Sequence, residues 1–334
     1  MRGLRLTFAA AAATAAAFVF EPGASAEKLQ INVAAINSNF AWYFAAVDKG
    51  YFAEEGLEVE LPVIGGGSAV PALIAGSLTY SSSPSSAMSA ILRGAPLVVT
   101  LVGQSRPIYQ LWSFDPAVTR FEDMKGRNIG VATRGATEEI SIRMFMKARN
   151  LSADFVGFTP LGPGSVRIAA LAAGSQHFVL LTRVERGQLA DNGMLARGRM
   201  LVDVAKEVEL QTGGLVTTAA ELSADRDRTK RVLRALWKGT MYMQHQPEGT
   251  TDILLKRLPN LARDVVLKDV EGGIEDIDED GELSVDAARK ELAVRGELLE
   301  MASAKVPPPE KVYDFSIIRE VIAELKAKNW RPAR

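Results

Sequence analysis

Two loops of closely similar sequence are the best indication of where this chain binds a ligand. Residues 65–79 read GGGSAVPALIAGSLT, and residues 162–177 read GPGSVRIAALAAGSQH. Each segment follows an apolar run and passes through a glycine-serine loop into a short helix, a turn and a strand. The free N–H groups at the start of such a helix attract an anion or a polarised oxygen. The repetition predicts two similar α/β lobes with a ligand cleft between them.

Residues 133–137, which read Thr-Arg-Gly-Ala-Thr, are the strongest single candidate for ligand contact. Gly135 allows the backbone to approach a ligand closely. Thr133 or Thr137 can donate a hydroxyl, and Arg134 can offer a fork of two N–H groups to a carboxylate or sulfonate. The alternative is that Thr133 only caps a helix and Arg134 points into solvent.

Other candidate contacts come from the loops that follow strands, because open parallel sheets bind ligands beyond the carboxyl ends of their strands. The serine-rich loop 82–86 offers several hydroxyls, one of which is expected to cap the next helix. Trp42 either stacks on a ligand or packs in the core, and Gly66 and Gly67 either donate N–H groups or only permit a tight turn. The predicted ligand contacts are Asn37, Ser38, Asn39, Trp42, Gly66, Gly67, Ser68, Ser83, Ser85, Gln104, Thr133, Arg134, Gly135, Thr137, Ser165 and Arg183.

Strands and helices alternate along most of the chain, as is needed to place those loops at one edge of a sheet. Strands are predicted at 29–36, 57–64, 78–83, 96–103, 108–114, 128–133, 155–160, 177–181, 199–204 and 213–220. Helices are predicted at 41–52, 68–75, 85–93, 136–149, 165–173 and 184–192, and then at 224–246, 248–257, 284–302 and 315–328. Strands that alternate with such helices indicate right-handed crossovers and a parallel sheet.

The composition indicates a two-domain globular protein. The chain has 334 residues, of which 47% are hydrophobic and 24% charged, and its formal net charge is −1. The chain therefore lacks the excess of basic residues that is typical of proteins that bind nucleic acid or an anionic membrane. The chain has no cysteine, which excludes disulfides, thiolate catalysis, cysteine-bound metals and the lipid anchor of a lipoprotein.

The first 26 residues have the pattern of a cleaved export signal. Arg2 and Arg5 form a positive start, residues 6–20 form an apolar core, and residues 24–26 read Ala-Ser-Ala, a cleavage site. An N-terminal membrane anchor is the alternative, but the apolar run is short for a membrane span. We therefore expect a mature protein that is free in the periplasm.

Several familiar site motifs are incomplete in this chain. The first glycine-rich loop lacks the Gly-Lys-Ser/Thr of a P-loop, and Val70 stands where a dinucleotide fingerprint or a nucleophile elbow needs glycine. Residues 276–281 imitate half of a calcium loop, but Ala287 occupies the position of the bidentate glutamate. His177 and His245 are too far apart for metal-ligand spacing. We expect no catalytic residue, no metal and no cofactor.

Five phrases, in order and with plausible spacing, carry a family resemblance. They are 48–59 (DKGYFAEEGLEV), 65–68 (GGGS), 73–76 (LIAG), 94–97 (GAPL) and 124–131 (MKGRNIGV). The chain resembles the periplasmic solute-binding proteins of ABC importers, in the branch that serves nitrate, taurine, alkanesulfonates and thiamine-pyrimidine precursors. It departs from that pattern at Thr79 and His177, where family members often carry an acidic residue.

The resemblance implies an α/β fold of periplasmic binding protein type II. Two Rossmann-like lobes would be joined by two chain crossings, near 104–106 and 212–214, with the ligand cleft between them. The implied division is a signal peptide at 1–26, a first lobe at 27–105 plus 213–334, and a second lobe at 106–212. Closure about the hinge would trap the ligand from both sides.

The resemblance also implies a function. The protein would be a monomeric, non-enzymatic receptor that captures a small anionic solute, sulfonate-, taurine- or nitrate-like, and delivers it to an ABC permease in the inner membrane. One alternative is a binding module for an aromatic or pyrimidine ligand that feeds a sensor. Another is an enzyme like those of thiamine-pyrimidine synthesis, but their chemistry uses a cysteine-containing iron motif, and this chain has no cysteine.

Overall fold

The structure, a computed structural model, describes residues 26–333, so the predicted signal peptide lies outside the described residues except for Ala26. The chain begins with β1 (Glu27–Asn32), α1 (Ala41–Asp48), α2 (Tyr51–Glu54), β2 (Leu57–Glu60), α3 (Gly66–Ile74), β3 (Tyr80–Ser81), α4 (Pro84–Leu92) and β4 (Leu97–Gln104). It continues with β5 (Gln110–Ser113), β6 (Asn128–Val131), α5 (Thr137–Ala148), β7 (Gly157–Pro160), α6 (Gly164–Ala172), β8 (Phe178–Leu181), α7 (Arg183–Asp191) and β9 (Arg199–Asp203). The last part forms β10 (Gly213–Thr218), α8 (Ala219–Ala224), α9 (Arg226–His245), α10 (Pro247–Leu255), α11 (Arg263–Glu275), α12 (Val285–Leu298) and α13 (Ser316–Ala327).

The strands form two sheets of five, ordered β2-β1-β3-β10-β4 and β7-β6-β8-β5-β9. We call each sheet with its packed helices a lobe. β1 runs parallel to β2 and β3, and β6 runs parallel to β7 and β8. These pairs follow from the strand-helix-strand rhythm of the sequence, because a helical crossover returns the chain in the same direction.

The prediction of a parallel sheet is wrong for β5 and β10. β10 runs antiparallel to β3 and β4, and β5 runs antiparallel to β8 and β9. Both strands enter their sheet directly from the other lobe, through residues 105–109 and 204–212, instead of through a helical crossover. The alternation of residue types carries no signal for strand direction, so the sequence did not reveal these reversals.

Three helices also differ from the prediction. The helix expected at 41–52 breaks at Gly50, whose φ of +76° favours glycine. The helix expected at 224–246 is α9 to within two residues, but α8 was not predicted, because residues 213–220 were expected to be extended. α11 was not predicted, because Gly272 and Gly273 weaken its helical pattern. Packing explains both glycines: an added Cβ at Gly273 would lie 2.6 Å from the Ser38 Cβ.

Trp42 and Tyr43 anchor the core of the first lobe. Both side chains are buried, the Trp42 Nε1–H donates to Asn39 O at 2.8 Å, and the Tyr43 hydroxyl donates to Gly214 O at 2.6 Å. Of the two interpretations of Trp42, the structure supports core packing. α1 packs against α9, and an added Cβ at Gly239 would lie 2.2 Å from the Trp42 carbonyl oxygen.

Gly239→Ala tests this helix contact. Alanine normally stabilises a helix relative to glycine by about 0.5–1 kcal/mol. Here the methyl group must push α9 away from α1, so we expect a net loss of about 1–3 kcal/mol in the free energy of unfolding. Urea or thermal unfolding measures it. Gly67→Ala in α3 is the control, because its added Cβ would meet no described residue within 4 Å beyond its own helix backbone and chain neighbours. Equal stability of Gly239→Ala and the parent chain would contradict the packing described.

Candidate functional site

A cavity of about 690 Å³ lies between the two lobes and is lined by loops from both. The first lobe contributes residues 65–68 and serines of 82–86, and the second contributes 132–138 and 162–164. These loops follow the carboxyl ends of β2, β3, β6 and β7, where open α/β sheets bind ligands. The volume is typical of sites for small organic molecules, which span about 300–1,000 Å³.

Helices α3, α4, α5 and α6 all begin at this cavity, and no side chain of residues 26–333 caps their N-termini. In α7 and α12, by contrast, Thr182 and Ser284 accept hydrogen bonds from first-turn N–H groups. Within residues 26–333, the backbone N–H groups of Gly66 and Gly67 have no backbone acceptor. A helix start normally needs partners for these donors, so they are available to a ligand.

α5 differs from the other three helices because its first turn carries two acids, Glu138 and Glu139, which bind N–H groups of the loop before it. The Ala132 N–H donates to a Glu138 carboxylate oxygen at 3.2 Å, and the Gly135 N–H donates to Glu139 at 2.9 Å. The first turns of α3, α4 and α6 contain no acidic residue. An anionic ligand group is therefore favoured at these three helices over the 133–137 loop, which the sequence ranked first.

Arg134 lies at the cavity but is already engaged. Its guanidinium lies 3.3 Å from a Glu139 carboxylate oxygen and donates to Phe158 O at 3.3 Å. The side chain is half exposed, at 54%. The guanidinium N–H groups that were expected to bind a ligand are thus directed to Glu139 and Phe158 of the same lobe.

Arg167, which the sequence analysis missed, is the buried cation of the second lobe's wall. It lies 3.2 Å from Glu138 and 3.0 Å from Glu185, and it donates to Gly162 O at 3.1 Å. Burial raises the pKa of Glu138, and the charge of Arg167 opposes that rise. The signal in the sequence was an arginine at the position where the first repeat holds Val70.

Arg295, on α12, connects the two walls of the cavity and was also missed. It is 2% exposed, and its guanidinium donates to Ser85 Oγ at 2.7 Å and to Gly135 O at 3.4 Å. Ser85 Oγ in turn lies 2.9 Å from the Thr137 hydroxyl across the cavity. The carboxylate partner of Arg295 is Glu291, which lies 2.8 Å away and is buried in the same helix. Arg295 therefore presents positive charge to the cavity through Ser85.

α12 joins the lobes in a second way. Leu292 packs in the apolar core around α3 and α4, whereas Val294 packs in the core of the second lobe. Elsewhere, Arg183 at the start of α7 pairs with Asp276 after α11 at 2.7 Å. The lobes are thus held together at two separate places.

The two chain crossings are hydrogen-bonded to each other. The Thr212 N–H donates to Gln104 O at 3.0 Å, and the Leu210 N–H donates to Ser105 O at 2.6 Å. The Gln104 side chain is buried and donates to Gly273 O at 3.1 Å. These bonds fix the strand ends from which the two lobes diverge.

Most of the predicted contact residues line the cavity. They are Asn37, Asn39, Gly66, Gly67, Ser68, Ser83, Ser85, Thr133, Arg134, Gly135 and Thr137. Five others do not line it, and each has a structural role or position elsewhere. Ser38 is buried with its N–H on Asp269, Trp42 is in the core, Gln104 is at the crossing, Ser165 is in the first turn of α6, and Arg183 pairs with Asp276.

Residues 26–333 contain no helix suited to a membrane span and no side-chain cluster suited to a metal ion. None of their helices combines the length and the hydropathy that crossing a bilayer requires. No three histidine or acidic side chains in this range are grouped so as to hold a metal ion.

A two-lobed α/β architecture with the cavity between its lobes defines the class of periplasmic binding proteins. The sequence profile described as "NMT1/THI5 like" matches residues 37–250, which is more than half of the chain, so the protein belongs to the NMT1/THI5-like family. The family resemblance inferred from the sequence is thereby confirmed. No curated protein is similar enough in sequence to count as a relative.

Solved structures share this fold over nearly the whole chain. A protein from Bordetella bronchiseptica RB50 has 22% identity and a TM-score of 0.72, covering 90% of this chain and 98% of its own. The periplasmic sulfonate-binding protein SsuA from Methylobacillus flagellatus KT has 13% identity and a TM-score of 0.70, covering 93% and 98%. The periplasmic nitrate-binding protein NrtA from Synechocystis PCC 6803 has 14% identity and a TM-score of 0.69, covering 92% and 91%.

Asp278 is a titratable group beside the first chain crossing. Its N–H donates to Gly103 O at 3.1 Å, and its Oδ1 accepts the Ser105 hydroxyl at 2.6 Å. Burial raises the pKa of Asp278 to about 7, although the Ser105 hydrogen bond opposes the rise. The folded state therefore holds a proton that the unfolded state releases near its ordinary pKa of 3.8. The stability that this proton contributes is present at acid pH and is lost as the pH rises towards 7.

Asp278→Asn should remove this pH dependence. At pH 8 the variant should be more stable than the parent chain by about 1–4 kcal/mol, because each pKa unit corresponds to about 1.36 kcal/mol. Below pH 4 the two should unfold alike. Urea unfolding at pH 4, 6 and 8 measures the difference. Asp191→Asn, at the exposed end of α7, is the control, and a pH-independent difference between Asp278→Asn and the parent chain would contradict the assignment.

Proposed function

We propose that the protein is a periplasmic receptor that captures a small anionic solute and delivers it to an ABC permease of the inner membrane. The observation that carries this proposal is the set of uncapped helix starts, α3, α4 and α6, that open into one interlobe cavity without acidic residues in their first turns. Such starts bind anions through backbone N–H groups and the helix dipole.

The anionic group would lie against the first lobe. There the N–H groups of Gly66 and Gly67 and the hydroxyl of Ser85 line the cavity. The buried guanidinium of Arg295 supports Ser85 from behind. A hydroxyl that receives a hydrogen bond from a cation is a better donor to an anion, because hydrogen bonds in a chain polarise one another. Arg134 would contribute less, because its half-exposed guanidinium is directed to Glu139 and to Phe158 O.

The size of the cavity favours an organic anion over nitrate. A space of about 690 Å³ greatly exceeds what a four-atom anion fills, whereas a sulfonate with an organic tail uses it better. The names of SsuA and NrtA, a sulfonate-binding and a nitrate-binding protein, support an anion of either kind on this fold. We therefore place an alkanesulfonate or taurine-like solute first.

A pyrimidine or other aromatic ligand, delivered to a sensor or a permease, is the second candidate. Two aromatic side chains, Phe40 and Tyr109, line the cavity. A flat ring could stack on such side chains, while its polar edge meets the helix starts. This candidate predicts binding without a requirement for a negative charge on the ligand.

We propose that the receptor is a monomer and does not transform its ligand. The chain has no cysteine, and neither His177 nor His245 is among the residues that line the cavity. The signal pattern at 1–26 and the lack of a lipoprotein cysteine favour a mature protein free in the periplasm. The proposed lobes, 27–105 plus 213–334 and 106–212, would close about residues 104–106 and 212–214 on binding.

Ser85→Ala tests the proposed anion site. A panel of methanesulfonate, taurine, nitrate and an aminopyrimidine is first compared by thermal shift, because a ligand at 100 times its dissociation constant adds about 2.7 kcal/mol of stability. For the sulfonate that binds, calorimetry should show at least a tenfold loss of affinity in Ser85→Ala. The reason is that the hydroxyl between Arg295 and the ligand is gone, and a hydrogen bond to a charged group contributes about 1.5–3 kcal/mol.

Two further variants complete this test. Ser77→Ala, at an exposed position after α3, should bind like the parent chain. Arg134→Ala should weaken binding less than Ser85→Ala does. Sulfonate binding that depends on Arg134 and ignores Ser85 would overturn the placement of the anion, and binding of the aminopyrimidine alone would favour the second candidate.

A further inference from the structure

A second cavity, of about 300 Å³, lies beside the interlobe cavity, and Ile108 lines both. The start of α7, the start of β5 and the last residue of β9 meet the end of α11 here and form the cavity. An added Cβ at Gly272 of α11 would lie 2.3 Å from Arg183 Nε, so the two lobes are in close contact here. The two cavities share Ile108, but this second cavity contains none of the groups that we assign to solute binding.

The lining of this second cavity is rich in charge. It contains four cationic side chains, Arg106, Arg183, Arg186 and Lys206, and three acidic ones, Asp203, Glu275 and Asp276. Arg183 pairs with Asp276 at 2.7 Å, and Lys206 lies 3.9 Å from Asp203. Among residues 26–333, neither Arg106 nor Arg186 has a carboxylate oxygen within 4.0 Å. Two guanidinium groups thus lack a paired anion.

Arg186 is the least satisfied of these cations. Its Nε atom is buried and has no hydrogen-bond partner among the described residues. Burial and the neighbouring charge of Arg183 lower the pKa of Arg186. Both arginines lie in the first turn of α7, where the positive end of the helix dipole disfavours a cation. A buried donor of this kind normally has a partner.

We propose that this second cavity binds a small oxyanion, such as sulfate or phosphate, between Arg186 and Arg106. A guanidinium offers parallel N–H groups that match two oxygens of a tetrahedral oxyanion. The anion supplies the missing acceptor for Arg186 and separates it electrostatically from Arg183. Because Arg183 also holds Asp276 of the other lobe, an anion here stabilises the contact between α7 and α11. The site acts on an interlobe contact beside the solute cavity, without touching the solute.

Calorimetry and thermal shift with sodium sulfate and sodium phosphate, against sodium chloride at equal ionic strength, test the site. The parent chain should show a saturable rise in melting temperature with sulfate or phosphate beyond that with chloride. Arg186→Gln should lose at least tenfold in oxyanion affinity, and Arg186→Lys, which keeps the charge but lacks the fork, should lose part of it. Arg199→Gln, at an exposed arginine of β9 outside both cavities, is the matched control.

The solute site provides the second comparison. Ser85→Ala should leave the sulfate response unchanged, and selenate soaked into crystals should give its anomalous peak beside Arg186. A sulfate response that is the same in Arg186→Gln and the parent chain would overturn the proposal. So would a response lost in Ser85→Ala and kept in Arg186→Gln, because the anion would then lie in the solute cavity. The first outcome would leave the assignment of the solute site untouched, and the second would support it.

Discussion

Unpaired backbone donors at the starts of α3, α4 and α6 are the constraint on which the rest of this structure depends. Gly66 and Gly164 are half-buried and Gly67 and Ser165 are exposed, so water satisfies these N–H groups until a ligand in the shared cavity replaces it. The fold turns these donors towards one cavity by using one strand-loop-helix unit in each lobe, with the Gly-x-Gly-Ser loop at the same edge. The donors are fixed by the helices, so they need no rearrangement when the solute arrives.

Charged side chains lie behind these donors and hold the surrounding loops in position. They do not take the place of the donors at the ligand. Arg167 is held between Glu138 and Glu185, which fixes the loops of the second lobe and cancels its charge. Arg295 has its carboxylate partner within its own helix and reaches the cavity through Ser85. A site built this way favours one negative charge at a defined place, since backbone dipoles and a single supported hydroxyl set the position of the anion.

The sequence predicts the repeated parts of this protein well and the long-range parts poorly. The Gly-x-Gly-Ser loops and the strand-helix rhythm are local patterns, and they located most of the cavity lining. The reversed directions of β5 and β10 follow from the path between lobes, which no local pattern records. α11 carries glycines that only its packing against Ser38 and Arg183 explains. Arg295 contacts Ser85 across 210 residues, and a buried Glu-Arg pair on a helix resembles an ordinary surface pair in sequence.

The most direct test of the central claim is to observe the helix-start donors themselves during binding. In a titration of the deuterated, ¹⁵N-labelled protein with an alkanesulfonate that binds by calorimetry, the amide signals of Gly66 and Gly67 should shift downfield and saturate with the same dissociation constant. Such shifts would mean that these N–H groups acquire an acceptor from the ligand. Saturable binding that leaves both glycine signals unchanged would contradict the account.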